Sequence, residues 1–222
     1  MVSPIGFGVY SIRDAAALSG LRQGRIREWF FGQYDQNHKP VFESRYREVT
    51  HEKVIGFLDL IDVVVAGRLR DQGLSLQSVR KVYHRLQSKF AVENPFCHKR
   101  LFLHGKTILL REIRDAGQED FSDVVTQQRV FPEIVRPFLK ELVYESETRI
   151  AVQWRIANGV VVDPQYCFGQ PVTEGSRIPT WILAKSCETN GNDSDLVARW
   201  FNTTREEVDA AVAFESSLRQ AV

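Results

Sequence analysis

The sequence predicts an α+β fold that is mostly helical, and three observations support this. Apolar residues recur at helical spacing between residues 54 and 86, strand-like runs flank Asn158 and Gly159, and the two halves carry opposite charge. The 222 residues, 43% hydrophobic and 26% charged, are typical of one large or two small globular domains. No apolar run approaches the ~20 residues of a membrane helix and no signal peptide is evident, so we expect a cytoplasmic protein.

The charge is unevenly distributed along the chain. Residues 1–114 hold 19 Lys and Arg against 11 Asp and Glu, a balance of +8, and all five histidines. Residues 115–222 hold 10 against 17, a balance of −7. The asymmetry indicates either a basic nucleic-acid surface beside an acidic partner surface or two solvated domains that differ by chance.

Residues 11–30 predict two helices joined by a tight turn. Ser11 is a suitable N-cap for a helix over residues 12–18, and Gly20 permits the backbone angle of the turn. A second helix over residues 22–30 would pack through Ile26, which gives the geometry of a helix-turn-helix. Its exposed side chains are the candidate DNA-binding residues Arg22, Gln23, Arg25 and Arg27.

Residues 31–47 contain glycine, asparagine and proline, and predict a short hairpin with basic and aromatic tips. Beside a helix-turn-helix this hairpin would be a wing that contacts the duplex backbone through Lys39, Arg45, Tyr46 and Arg47. The alternative is a surface helical hairpin that carries ordinary arginines.

The sequence predicts two further helices after the hairpin. Thr50 is a plausible N-cap for a helix over residues 51–72 that ends at Gly73, and Ser75 caps the next helix. Their apolar stripes indicate core or dimer contacts.

Three segments resemble the winged helix-turn-helix of the MerR family: residues 10–16 (YSIRDAA) with Gly20 and Trp29, residues 57–61 (FLDLI), and residues 73–80 (GLSLQSVR). The resemblance covers about residues 8–88 and implies that Arg22, Gln23, Arg25 and Arg27 face the major groove. A long dimerising helix with metal-binding cysteines is not evident. We therefore expect no metal and no cofactor, and expect buried or inert thiols at Cys97, Cys167 and Cys187.

The sequence predicts a mixed α/β connector in the middle of the chain. Residues 100–103 and 107–110 predict a short β-hairpin, residues 123–130 another strand, and residues 134–143 a helix that Pro137 kinks or starts. The expected domains are a winged helix-turn-helix over 1–92, a mixed connector over 93–148 and a C-terminal domain over 149–222.

The C-terminal domain should combine a hairpin with a helix-turn-helix-like bundle. Residues 150–156 and 160–162 predict the hairpin, and a loop spans 163–178. Pro179 opens one helix, Asp193 or Ser194 a second, and residues 203–207 (TTREE) offer a cap with acidic residues in the first turn of a third. The second helix should bury Leu196, Val197, Trp200 and Phe201.

Residues 161–164 (VVDP), 169–172 (GQPV), 175–179 (GSRIP) and 204–212 (TREEVDAAV) resemble a small helical family of uncharacterised function. That family is associated with bacterial antitoxins, so the resemblance implies a VapB-type antitoxin whose partner is a PIN-domain ribonuclease. Arg177 either pairs with Glu174 or enters a carboxylate-rich pocket of the partner.

The leading hypothesis is a bacterial antitoxin that binds a PIN-domain toxin and, as a homodimer, represses its own operon by binding operator DNA. The alternative is a stand-alone MerR-like transcription regulator with a ligand-sensing C-terminal part. No nucleophile and base at catalytic spacing are evident, so we do not expect an enzyme.

Overall fold

The computed structural model describes residues 8–32, 40–43, 46, 53–104 and 135–220. It confirms a mixed α+β fold that is mostly helical, with two small antiparallel sheets. Contacts divide the chain into two compact units. The head unit is Ser11–Ala151, and the tail unit joins Met1–Tyr10 to Val152–Val222. The described residues of the predicted connector therefore group with the head unit, while the predicted three-part division stays a prediction.

The helices and strands up to residue 151 are α1 (Ile12–Ser19), α2 (Gln23–Phe31), α3 (Phe57–Asp71), α4 (Leu76–Phe90) and α5 (Arg136–Lys140), with strands β1 (Val9–Ser11), β2 (Val54–Gly56) and β3 (Leu142–Tyr144). A 3-10 turn covers Pro95–Cys97, and residues 99–104 are helical.

The predicted start of the helix-turn-helix is confirmed. The Ser11 hydroxyl accepts a hydrogen bond from the Asp14 N–H at 3.1 Å, and the Asp14 carboxylate accepts from the Ser11 N–H, which forms a capping box. Gly20 closes α1 with a φ of 71° and donates its N–H to the Ala16 carbonyl at 3.0 Å. Leu21 then packs so tightly on α3 that a Cβ at Gly67 would lie 2.8 Å from its Cδ1.

The start of α3 differs from the prediction. The helix begins at Phe57 instead of residue 51, and Val54–Gly56 forms a strand. The Asp59 carboxylate accepts the Gly56 N–H at 2.9 Å, which fixes Gly56 as the cap and places the chain before it in an extended conformation. Thr50 lies outside the described residues.

The predicted hairpin of the connector is wrong over residues 100–103, which are helical. The run is short and rich in leucine, a good helix former, so apolar content alone could not separate helix from strand. Residues 107–110 and 123–130 lie outside the described residues. Pro137 lies in the first turn of α5, so it starts this helix, which was one of the two predicted options. The predicted helix ends early, because the chain forms strand β3 from Leu142.

The tail unit contains β4 (Ala151–Ala157), β5 (Val160–Val162), β6 (Pro171–Thr173), α6 (Thr180–Thr189), α7 (Ser194–Phe201) and α8 (Arg205–Gln220). The predicted hairpin is confirmed, since Ala157 pairs with Val160 across a turn in which Gly159 has a φ of 72°. β6 pairs antiparallel with β5, Val172 opposite Val161, inside the segment for which the sequence predicts a loop.

The core of the tail unit lies between its three helices. Its buried members are Leu183, Cys187, Val197, Ala198, Val208 and Ala211. Burial of Val197 is confirmed, but Trp200 is 58% exposed, because α7 turns the side that carries Val197 and Ala198 to the core.

Candidate nucleic-acid interface

Helix α2 has one buried face and one exposed face. Ile26, Trp29 and Phe30 are buried, and they fix the rotation of the helix in the head unit. Arg22 and Arg27 are exposed, as is Gln23, and neither arginine forms an ion pair with the described part of the chain. These three predicted groove-facing side chains are therefore accessible from solvent, and Arg25, the fourth, is partly so.

Arg25 is placed differently. Its guanidinium lies 3.6 Å from the Asp71 carboxylate at the end of α3, and its side chain is 41% exposed. An ion pair at this exposure contributes little stability, about 0–1 kcal/mol. Arg25 therefore remains accessible from solvent despite this contact.

The N-terminal turn of α2 adds positive potential to these side chains. No acidic residue lies in this turn, and Arg22, its N-cap, makes no side-chain capping bond. The unpaired N–H groups of a helix start and the helix dipole both favour an anion. The arginine side chains are positive, and the backbone N–H groups at this end of α2 are partly positive, so both favour an anion.

The second half of the predicted wing contacts α2. The Trp29 carbonyl accepts hydrogen bonds from the N–H groups of Val41 at 2.7 Å and Phe42 at 3.1 Å. The Phe42 ring lies edge-on to the ring of Tyr83 in α4, with 4.8 Å between centroids. Tyr46 is half-buried. The other three predicted wing residues, Lys39, Arg45 and Arg47, lie outside the described residues.

The two predicted partner-binding residues of the tail unit do not pair with each other. Glu174 accepts a hydrogen bond from Arg155 Nε at 3.1 Å. The Arg177 guanidinium lies 3.6 Å from the Asp163 carboxylate and 4.8 Å from the centre of the Tyr166 ring. Arg177 is therefore engaged inside its own loop, and its role toward a partner stays a prediction.

A turn of this loop is held by the start of α8. The Glu207 carboxylate accepts N–H bonds from Gly175 at 2.7 Å and Ser176 at 3.0 Å, and a hydroxyl bond from Thr203. Burial opposes the charge on Glu207, but these hydrogen bonds outweigh it and lower its pKa. The charge of Glu207 is thus used to fix the loop.

The head unit contains a buried polar cluster that was not predicted from the sequence. Asn94 Nδ2 donates to Asp59 Oδ1 at 3.1 Å and to Asp62 Oδ2 at 2.9 Å, and the Tyr83 hydroxyl donates to Asp62 Oδ2 at 2.7 Å. Burial raises the pKa of Asp62 to about 8 against these hydrogen bonds, and Asp59 acts in the same direction as burial. The available signal was the pair of carboxylates at i, i+3 inside the apolar run of α3.

Two of the three cysteines expected to be buried or inert are buried, and whether the third is inert stays a prediction. Cys97 and Cys187 are buried, but Cys167 is exposed. Burial and the adjacent Asp62 raise the pKa of the Cys97 thiol well above its ordinary value. Among the described residues, no group of three or more His, Cys, Asp or Glu is placed to hold a metal ion.

Part of the tail unit is similar to a known family. Residues 160–214 match the family model of DUF433, a protein family of unknown function. This DUF433 region runs from β5 into α8. No curated protein matches the chain. Within the described part of the chain, no helix is long and apolar enough to span a bilayer.

The crystal structure of Rv2018 from Mycobacterium tuberculosis is similar to the chain, with a TM-score of 0.72 and 21% sequence identity. The alignment covers 91% of this chain and 96% of that chain. At this identity the comparison establishes a shared fold.

Proposed function

We propose that this protein is an antitoxin that binds operator DNA through α2 and neutralises a PIN-domain ribonuclease through the unit that holds the DUF433 region. The observation that supports DNA binding best is the geometry of α2. Its apolar face is buried in a helix-turn-helix, and Arg22, Gln23 and Arg27 are presented together at the accessible side.

These side chains suit a duplex for distinct chemical reasons. An arginine fork binds guanine bidentately or a phosphate, and a glutamine amide pairs with adenine in the major groove. The amide groups at the start of α2 add a phosphate site that positions the helix. Arg25 would add a further phosphate contact, since its side chain is 41% exposed beside Asp71.

The antitoxin half of the proposal is supported by the resemblance of the tail unit to an antitoxin-associated family. The acidic start of α8, with Glu206 and Glu207, would repel phosphates. We therefore assign DNA binding to the head unit, and assign toxin binding, by occlusion of the nuclease site, to the tail unit.

DNA binding is tested by fluorescence anisotropy with the duplex upstream of the protein's own gene. Replacing Arg22 and Arg27 with alanine should raise the dissociation constant about tenfold or more, since each good base contact contributes about 1–3 kcal/mol. The log–log salt slope should decrease by about 0.9 for each phosphate that the variant no longer neutralises. The matched control is Arg199→Ala, an exposed arginine of α7, which should leave both values unchanged. Equal binding by the double variant and the control would refute the role of α2.

Toxin neutralisation is tested by co-purification with the PIN-domain protein encoded beside the gene, followed by a ribonuclease assay. We expect a stoichiometric complex without nuclease activity, formed equally by the Arg22→Ala, Arg27→Ala variant. A protein that binds the upstream duplex but no nuclease would favour the stand-alone regulator.

A further inference from the structure

Helix α2 carries a glycine on its accessible face. Gly24 is exposed, as are Gln23 before it and Arg27 after it. Residues three and four positions apart are neighbours on a helix surface, so these three residues lie together on the exposed side of α2. The helix backbone is therefore uncovered between two long polar side chains, and we call this gap the Gly24 notch.

A glycine inside a helix lowers stability relative to alanine, because it loses more conformational entropy on folding. Two structural requirements account for other glycines of the head unit. Gly20 has a φ of 71°, which favours glycine, and a Cβ at Gly67 would lie 2.8 Å from Leu21 Cδ1. Each of these glycines is needed by the fold itself.

Gly24 meets neither requirement. It does not belong to the glycines with positive φ in the described part of the chain, and a Cβ built on it would meet no described atom within 4 Å. The head unit as described has room for a side chain at this position. The remaining use of a glycine is to let a group from outside the chain approach the backbone closely.

The backbone at the notch is polar and has donors available. The Arg22 carbonyl accepts the N–H groups of Arg25 at 3.0 Å and Ile26 at 3.3 Å. Within the described contacts, the N–H groups of Gln23 and Gly24 have no acceptor. Uncovered backbone with free N–H groups, flanked by an arginine and a glutamine, suits the sugar–phosphate backbone of a nucleic acid better than an apolar partner.

We infer that Gly24 is the point at which α2 meets the sugar–phosphate wall of the DNA major groove at backbone distance. A side chain at this position would hold the helix out of the groove and move Gln23 and Arg27 away from the base edges. Gly24 is thus a positioning residue for specific binding and reads no base itself. This rests on the proposed function, because it assumes that α2 enters the groove.

The test uses the opposite effects expected on stability and on DNA affinity. Alanine and leucine are both good helix formers, so Gly24→Ala and Gly24→Leu should fold, and the melting temperature of Gly24→Ala should equal or exceed that of the wild type. In fluorescence anisotropy with the duplex upstream of the gene, the dissociation constant should rise about tenfold for Gly24→Ala and further for Gly24→Leu.

A scrambled duplex of the same length isolates the specific part of this effect. Non-specific binding depends on phosphate electrostatics and needs no deep insertion, so both glycine variants should bind the scrambled duplex within about twofold of the wild type. The matched control Ala213→Leu adds the larger side chain to an exposed position of α8 and should leave both affinities unchanged.

Wild-type affinity for the upstream duplex in both glycine variants would overturn the inference. A lower melting temperature for Gly24→Ala would overturn it as well, because the fold itself would then require the glycine. The Arg22→Ala, Arg27→Ala variant separates this result from the proposed function. If that variant loses affinity while the glycine variants keep it, only the close approach at Gly24 is refuted, whereas a wild type that binds no upstream duplex refutes DNA binding by α2 and this inference with it.

Discussion

Replacing Asp62 with asparagine is expected to remove a pH dependence from the stability of the head unit. Asp62 has none of its surface exposed, and burial raises its pKa from 3.8 to about 8. The groups that face it are the carboxylate of Asp59 on the same helix, Tyr83 of α4, Asn94, and the Cys97 thiol, whose Sγ lies 3.6 Å from Asp62 Oδ1. No cation balances its charge among these described contacts, so the neutral acid is the stable form in the fold.

The direction and magnitude follow from proton linkage. The folded protein keeps the Asp62 proton up to about pH 8, whereas the unfolded chain releases it near 3.8. Between these values folding takes up one proton, so the free energy of unfolding falls as pH rises, by about 1.4 kcal/mol per pH unit. Between pH 5 and 7 the decrease is about 3 kcal/mol, and an asparagine, which does not titrate, should not show it.

The assay is urea denaturation followed by circular dichroism at pH 5, 6 and 7. The useful quantity is the difference in unfolding free energy between wild type and Asp62→Asn, because the titration of other groups cancels. Asp71→Asn is the matched control, since Asp71 ends the same helix with its side chain 62% exposed. Parallel pH profiles for wild type and Asp62→Asn would show that Asp62 is ionised in the fold and refute the reasoning.

Three further outcomes are expected. Glu207→Gln should lower the free energy of unfolding by about 1.5–3 kcal/mol in urea titration, because the N–H groups of Gly175 and Ser176 lose a charged acceptor, and an unchanged urea midpoint would contradict this role of Glu207. A thiol reagent should modify one cysteine of the native protein rapidly, and Cys167→Ser should abolish that phase, whereas a rapid phase that persists would contradict the assigned exposure. Tyr10→Phe should lower stability by about 1 kcal/mol because the hydrogen bond to Gly169 is removed, and an unchanged thermal midpoint would argue against that bond.

Local signals were sufficient for much of the fold. Ser11, Gly20 and Ser75 mark helix ends through their own side chains or backbone freedom, and the structure places caps or turns at all three. Asn158 and Gly159 fix a two-residue hairpin in the same way. The exposed side of α2 followed from the position of its apolar residues, which only one helix rotation can bury.

The predictions from sequence were wrong where contacts with distant residues decide between two local conformations or between burial and exposure. The run at 100–103 suits helix or strand by composition and is helical in the fold. Trp200 has the size and apolarity of a core residue but faces solvent, since the eight-residue α7 buries only Val197 and Ala198. The spacing of apolar residues within α7 could not show that its neighbours would leave Trp200 uncovered.

The sequence by itself determined the helix starts at Ser11 and Ser75, the turns at Gly20 and Gly159 and the basic character of α2, because these depend on residues within a few positions of one another. Only the tertiary structure decided what Asp62, Arg177 and Phe168 do. Burial under α4 raises the pKa of Asp62 to about 8 against its hydrogen bonds with Tyr83 and Asn94. Arg177 turns inward because Asp163 lies beside it, and Tyr10 fixes the turn that exposes Phe168. Each of these outcomes depends on groups at least fourteen positions away in the chain, so it could be read only from the fold.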